Sequence, residues 1–400
     1  MNFLILSIYD PSERSHGGQI RVHEITQHLI SKGYNVCNAG ILSETKNSLP
    51  AHFLRFPEES ITYNGFSNWF LMDDAKIDIA IREDQSFAQK LYDSISFYPD
   101  IIMVEQPWLI RLAVQYRREY AVDAKIIYSS HNVESELKES ILLKYFPPAH
   151  AKAASSIVKE IELFAIENAD ACIAVTLKDA EYIAGVCGDK PVVVVPNGSR
   201  SCGPSPDSHR DMSFLAIPRK KYAMFCASAH PPNIHGFYEY LSGHSACIAG
   251  DSSMVIVGSV GDAIKSDKRY DASITFKHKL FFTGKVSHSV LPAIVNSAHI
   301  NMLPISQGGG SNLKTAEALL TDAYIVATPT ALRGYEFAEA YDHVFVSDSP
   351  RDFKAMVNGA FQRPPCRLDI ELRNTIKQRV HWEHVLTKLD DVVSCLTINQ

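Results

Sequence analysis

The segment Leu303-Pro304-Ile305-Ser306-Gln307-Gly308-Gly309-Gly310-Ser311-Asn312-Leu313-Lys314-Thr315-Ala316-Glu317-Ala318-Leu319 concentrates the residue types that can hold a phosphorylated ligand. It reads as a strand, then a triple-glycine turn, then a helix. Glycines let backbone amides approach an anion closely, a helix start offers unpaired N–H groups, and Lys314, one turn in, adds a full positive charge. That combination makes a diphosphate cradle. Glu317 follows Lys314 at the spacing of three that makes neighbours on a helix, and a carboxylate there can accept both hydroxyls of a ribose. The same residues also admit a structural reading: a turn, Ser311 capping the helix, and Lys314 with Glu317 as a solvated pair. No Gly-Lys-Ser/Thr ends the loop, so it is not a Walker loop. No Gly-any-Gly opens a first helix, so it is not the dinucleotide fingerprint.

Other candidates follow the ends of apolar runs. His131, in Ser129-Ser130-His131-Asn132, comes after a predicted strand, a position that favours function over a buried, satisfied histidine. Glu105-Gln106-Pro107 ends another strand, where Glu105 could meet donor or acceptor. Glu134 and Glu136 read as surface or capping residues. Arg333-Gly334-Tyr335-Glu336 could close over a ligand or form a simple turn. No Asp-any-Asp triplet and no close His/Cys/carboxylate cluster suggests a divalent-metal site, so no metal is expected. The eight cysteines, Cys37, Cys172, Cys187, Cys202, Cys226, Cys247, Cys366 and Cys395, lie far apart and read as reduced thiols.

The elements that must position these residues are legible as alternating strands and helices. Phe3–Ile8 is wholly apolar and leads through Tyr9-Asp10-Pro11 to His16-Gly17-Gly18-Gln19. Ile20, Val22, Ile25, Leu29 and Ile30 then recur at helical spacing, up to Lys32 and a C-cap at Gly33. Tyr34–Leu42, Asp100–Val104, Lys125–Tyr128, Ala171–Val175 and Val192–Val195 are further strands. Ser199–Arg219, rich in Ser, Pro, Asp and Gly, reads as a linker. A second series follows at Tyr222–Ala227, Ser253–Val257, Leu280–Thr283, Ile300–Pro304, Tyr324–Ala327 and Val344–Val346. Leu372–Thr397 reads as one long amphipathic terminal helix. Buried apolar strands between amphipathic helices imply an α/β fold with two parallel sheets, each covered on both faces. Two such domains in tandem would face each other across a cleft carrying the unusual residues.

Composition bounds the function. The chain has 400 residues, 46% hydrophobic and 21% charged, too long for one ordinary core and too apolar for disorder. A formal charge of -6 supplies no field to hold a phosphate polymer, which excludes nucleic acid as the main partner. The opening apolar run is too short for a secretory signal and no later run approaches a membrane span, so a cytoplasmic location is expected. Arg111, Arg117 and Arg118 could touch an anionic membrane or form a solvated helix face.

The glycine-rich strand end with Lys314 and Glu317 resembles the donor site of the family 4 retaining glycosyltransferases, which have two Rossmann-like domains (the GT-B fold). His16-Gly17-Gly18, Ser130-His131-Asn132-Val133-Glu134, Val195-Pro196-Asn197-Gly198 and Thr283-Gly284-Lys285-Val286 fall in the family's order across most of the chain. The resemblance implies an acceptor-side domain over residues 1–198, a linker over 199–219, a nucleotide-sugar-binding domain over 220–375 and a terminal helix over 376–400 returning to the first domain. It implies that Glu317 binds the ribose, that Lys314 and the Asn312 and Leu313 amides hold the diphosphate, and that Gly17 and Gly18 press against phosphate and sugar. It places His131 at the transferred sugar and Gly284 and Val286 along the base. Gly310 and Ser311 belong to the same loop. Arg21, Glu105, Asn132 and Arg333 are candidate acceptor or sugar contacts.

Departures from the pattern are also informative. The first acid of the family's paired-glutamate motif falls at Gly309. The usual Arg and Lys fall at Ser228 and Asn233, within Ala227-Ser228-Ala229-His230-Pro231-Pro232-Asn233; Arg21, Lys314 and Arg333 could supply the missing charge. The implied reaction moves a hexose-like unit from a nucleoside diphosphate sugar to an acceptor hydroxyl with retention and without a cofactor or metal. The implied acceptor is a glycan or lipid-linked molecule of bacterial surface polysaccharide assembly, with room for peripheral contact at the inner membrane. A sugar-nucleotide epimerase of the same fold and a non-catalytic glycan- or nucleotide-binding scaffold are the competing readings.

Overall fold

A computed structural model of the chain describes residues 1–14, 16–42, 48–56, 72–83, 85–200, 217, 220–241, 248, 250–272, 278–287 and 290–397. The chain divides into two compact units, Met1–Pro196 with Leu386–Gln400, and Asn197–Val385.

In the first unit the elements run β1 (Asn2–Ser7), α1 (Gly17–Ser31), β2 (Asn35–Leu42), β3 (Phe53–Arg55), α2 (Asp73–Glu83), α3 (Gln85–Ser94), β4 (Ile101–Glu105), α4 (Ile110–Tyr120), β5 (Lys125–Ser129), α5 (Glu134–Leu142), α6 (Pro148–Asn168), β6 (Ala171–Ala174), α7 (Leu177–Cys187) and β7 (Val192–Val194). Phe3, Leu4, Ile5, Ile102 and Met103 have no exposed surface, as expected of strands covered on both faces. The described strands form a parallel sheet in the order β3-β2-β1-β4-β5-β6-β7. Its order reverses between β1 and β4, whose register sets Phe3 beside Ile101 and Leu6 beside Val104. Ligands of open α/β sheets bind beyond the carboxyl ends of the strands at such a reversal.

The second unit contains β8 (Tyr222–Cys226), α8 (Pro231–Tyr240), β9 (Ser253–Val257), α9 (Val260–Ser266), β10 (Leu280–Gly284), α10 (Leu291–Ser297), β11 (Ile300–Leu303), α11 (Leu313–Leu319), β12 (Tyr324–Ala327), β13 (Val344–Val346), α12 (Pro350–Gln362), α13 (Ile370–Val380) and α14 (Trp382–Val385). Its sheet is also parallel, in the order β10-β9-β8-β11-β12-β13, with its reversal between β8 and β11. Every expected strand is present to within about a residue at each end. The short edge strand β3 is an addition.

The expected single terminal helix is instead three pieces, α13, α14 and α15 (Thr387–Thr397). The first break has a backbone cause. His381 is extended and bridges Ser199 in parallel. The Ser199 amide donates to the Val380 carbonyl at 2.8 Å, and its carbonyl accepts from the Trp382 amide at 3.1 Å, so groups a continuous helix would need are already paired. α15 belongs to the first unit, where Leu389, Val392 and Val393 are buried and Asp390 meets Lys32 at 2.6 Å and His28 at 2.9 Å. The expected linker lies outside the described residues except for Ser199, Arg200 and Ile217.

Each of the three arginines that could touch a membrane or form a solvated helix face is paired with a carboxylate. Arg111 lies 3.1 Å from Asp78, Arg117 lies 3.0 Å from Asp170 and Arg118 lies 3.0 Å from Glu119. Among the described residues no helix is long and apolar enough to cross a membrane.

Candidate functional site

In the second unit the triple-glycine loop leaves β11 at the reversal of strand order. Gly308 (φ +151°) and Gly310 (φ +58°) occupy backbone conformations that side-chain-bearing residues rarely adopt. A Cβ on Gly308 would stand 3.4 Å from the Arg333 guanidinium, so this arginine lies against the loop. The cap of α11 is Asn312, not Ser311: its side-chain oxygen accepts the Lys314 amide at 3.1 Å. Ser311 has a different task. Its hydroxyl accepts the Asn197 amide at 3.3 Å and its carbonyl accepts the Asn197 side chain at 3.2 Å. The Tyr335 hydroxyl donates to the Asn197 carbonyl at 2.9 Å, completing a clamp that ties Asn197 to the glycine loop.

Lys314 and Glu317 form an ion pair at 2.7 Å, with side chains 35% and 26% exposed. Partial burial opposes the Lys314 charge, but the Cys226 sulfur and the Glu317 carboxylate beside it outweigh that and hold its pKa above the ordinary lysine value. Cys226, the last residue of β8, lines a small cavity with Asn301, Lys314 and Glu317. Burial pushes its thiol up, against the opposing pull of the Lys314 charge beside it. The sequence reads Cys226 only as one more reduced thiol, although its place at the end of the central strand is a signal for the site. Ser228 and Asn233, at the positions of the missing cations, bond to each other: the Asn233 amide donates to the Ser228 carbonyl at 3.0 Å. Gly284 ends β10 at φ +67°, and Val286 packs against the core beneath it.

In the first unit the expected glycine loop is the first turn of α1. His16 caps that helix by accepting the Gln19 amide. A Cβ on Gly18 would fall 2.4 Å from the Tyr9 ring, so only glycine lets the helix start this close to the chain leaving β1. Glu105, fully buried at the end of β4, is the centre of the second cluster. One of its oxygens meets the His131 ring at Nε2 (2.6 Å) and accepts from the Ser129 hydroxyl (3.1 Å). Nε2 therefore carries the proton shared with the carboxylate, which leaves Nδ1 as the ring nitrogen not engaged by Glu105. Arg21 is 1% exposed, donates to the Val195 carbonyl at 3.1 Å and comes within 4.0 Å of Glu105. It stands behind Glu105 as its buried counter-charge.

Glu134 is 2% exposed, which corrects its reading as a surface residue. Its carboxylate accepts from the side chains of Asn132 (2.9 Å) and Gln106 (3.0 Å). Gln106 itself sits at φ +66°, a strained conformation for a non-glycine residue directly after Glu105. Burial raises the Glu134 pKa, against the opposing effect of Lys138 and these hydrogen bonds. One further cluster was not foreseen: His381, Glu383 and His384 each bring one ligand atom within 4.8 Å of the others. They lie on α14 and just before it, where sequence reading had expected no such group.

Residues 15–199 match the family model described as Glycosyltransferase Family 4. No curated protein sequence matches the chain. Among solved structures the chain is similar to sucrose-phosphate synthase from Thermosynechococcus elongatus, with 15% identity, complete coverage of both chains and a TM-score of 0.70. It is also similar to Anabaena Alr3699/HepE in complex with UDP and glucose (13% identity, 99% and 100% covered, TM-score 0.64). A third is an alpha,alpha-trehalose-phosphate synthase (UDP-forming) from Burkholderia xenovorans in complex with glucose-6-phosphate (16% identity, 99% of each chain covered, TM-score 0.65). The chain thus has the GT-B fold, and its first half matches the family that its motifs resemble.

Proposed function

We propose that this chain is a glycosyltransferase that moves a sugar from a nucleoside diphosphate donor to an acceptor hydroxyl with retention at the anomeric carbon. The observation that carries the reading is the glycine loop with Lys314 and Glu317, built at the strand-order reversal of the second sheet. The complexes of similar structures with UDP and glucose support a donor of this class.

In the free protein Lys314 and Glu317 satisfy each other. A partly exposed pair of this kind is worth at most about 1 kcal/mol, so a ligand can part it at little cost. A diphosphate then takes the Lys314 ammonium and the amides of Asn312 and Leu313, and the ribose hydroxyls take Glu317. Charge developing on the leaving diphosphate meets donors already in place, commonly the largest part of such rate enhancement. The Glu105–His131 pair is assigned to the transferred sugar: a carboxylate fixing Nε2 sets the ring's tautomer and orientation, leaving Nδ1 to accept from or donate to a hydroxyl. The leaving phosphate accepts the acceptor's proton in a front-face attack. No metal is required in this reading, because Lys314 supplies the counter-charge. A glycan or lipid-linked acceptor of surface polysaccharide assembly is the proposed substrate class.

The test is a thermal-shift screen of nucleoside diphosphates, since a ligand that binds the native state raises the melting temperature by mass action. One base should give the largest shift, and Lys314→Ala should reduce it. Donor incubated alone distinguishes an epimerase, which would yield a new sugar isomer. Binding without turnover across an acceptor panel would mark a non-catalytic scaffold.

A further inference from the structure

We infer that Glu162, on α6, is a positioning residue for His131, acting through the start of α5. This rests on the glycosyltransferase reading for its consequence but on geometry for its premise. α5 begins three residues after His131, and its cap position is Val133, which offers no side-chain acceptor. Helices normally take that acceptor from their own Ser, Thr, Asp or Asn. Here it comes from another helix. Glu162 is 1% exposed and accepts the Glu134 amide at 2.7 Å, the Ser135 hydroxyl at 2.7 Å and the Tyr182 hydroxyl at 3.4 Å.

The brace continues toward the site. Glu134, held by its amide, uses its own carboxylate to accept from Asn132, next to His131, and from Gln106, next to Glu105. Both members of the Glu105–His131 pair are therefore followed in sequence by a side chain bonded to one buried acid. That acid is in turn fixed by Glu162. The positive φ of Gln106 is a conformation that persists only where surroundings over-determine it, and the Glu134 contact is one of those surroundings.

Glu162 is faced by Glu134 from α5, Tyr182 from α7 and Tyr128 from β5, all groups that are neutral or anionic, while Lys138 and Asp74 lie beside Glu134. Burial pushes its carboxyl up to about 7. Above that pH it is a full carboxylate and its bond to the Glu134 amide is charge-assisted, roughly twice as strong as a neutral one. Below it, one oxygen carries a proton and the brace loosens.

Glu162→Gln keeps an acceptor for the Glu134 amide but cannot ionise, whereas Glu162→Leu removes the brace. In the wild type, kcat should rise with pH through about 7, and Glu162→Gln should lose that limb. Glu162→Leu should lower kcat by about a hundredfold, the usual consequence of a misplacement near 1 Å, with UDP or GDP binding unchanged because that belongs to the other unit. The Glu134 amide resonance, followed by NMR without substrate, should move as wild type crosses about pH 7, because that N–H donates to Glu162, and should move less in Glu162→Gln. Wild-type kcat in Glu162→Leu, or an identical pH response of the Glu134 amide in wild type and Glu162→Gln, overturns the inference. Should Glu162→Leu not fold, the Gln variant decides by itself. Absence of nucleoside diphosphate binding would overturn the transferase reading instead, and the NMR result would still judge the brace.

Discussion

Replacing Glu162 by Gln should change how stability depends on pH, and the size of the change follows from its burial. The carboxyl is raised from 4.5 to about 7 because the folded protein removes it from water. An acid raised in this way favours folding while it is protonated. Its contribution is fully present below the unfolded value of 4.5 and is lost as pH rises through about 7. The span between the two values corresponds to about 3 kcal/mol, a sizeable part of the 5–15 kcal/mol that holds a typical domain together. Gln at this position has no proton to lose, so the variant lacks the dependence. Urea unfolding of both proteins at several pH values between about 5 and 8 measures the difference directly. The stability of Glu162→Gln relative to wild type should climb by roughly 2–3 kcal/mol across that range, other titrating groups cancelling in the comparison. Parallel stability curves for the two proteins would refute the argument, because they would mean that Glu162 ionises as freely in the folded chain as in the unfolded one.

Lys314→Ala should weaken nucleoside diphosphate binding by about 10- to 100-fold in calorimetry, the worth of a charged hydrogen-bond donor, and unchanged affinity would remove Lys314 from the cradle. Arg21→Ala should destabilise the first unit by about 3–5 kcal/mol in urea melts by leaving Glu105 buried without its counter-charge. The double variant Arg21→Ala with Glu105→Gln should recover part of that loss, and a simple sum of the two effects would count against the pairing. Gly18→Ala should cost about 1–3 kcal/mol through contact with the Tyr9 ring, lowering the melting temperature, and Tyr9→Leu in the same chain should relieve it.

Much of the fold was legible because parallel strands covered on both faces read as unbroken apolar runs, as at Phe3–Leu6 and Ile101–Val104. β3 was not, since Phe53-Leu54-Arg55 is too short to show a period. The terminal helix was read as continuous because the apolar spacing of Val380, Trp382, Val385 and Leu389 carries on past His381. Only the partner Ser199, far away in sequence, imposes the break. In the site, glycines and a cation at a strand end announce themselves by type, and His131 by position. Glu134 and Glu162 do not. Each looks like an ordinary acid on an amphipathic helix, and their burial arises from the packing of α6 on α5, a contact that no local pattern contains. Arg21 is hidden for the same reason: a cation on the first turns of a helix gives no hint that Glu105 waits inside.

The attachment of α15 to the first unit has a consequence for biosynthesis. Residues that complete this unit leave the ribosome only after the whole of Asn197–Val385 has been made. Until then the surface that will receive Leu389, Val392 and Val393 stays uncovered, and His28 and Lys32 lack Asp390. The nascent amino-terminal portion must therefore wait, incomplete, through the synthesis of its neighbour, and chaperone dependence should be concentrated in that interval.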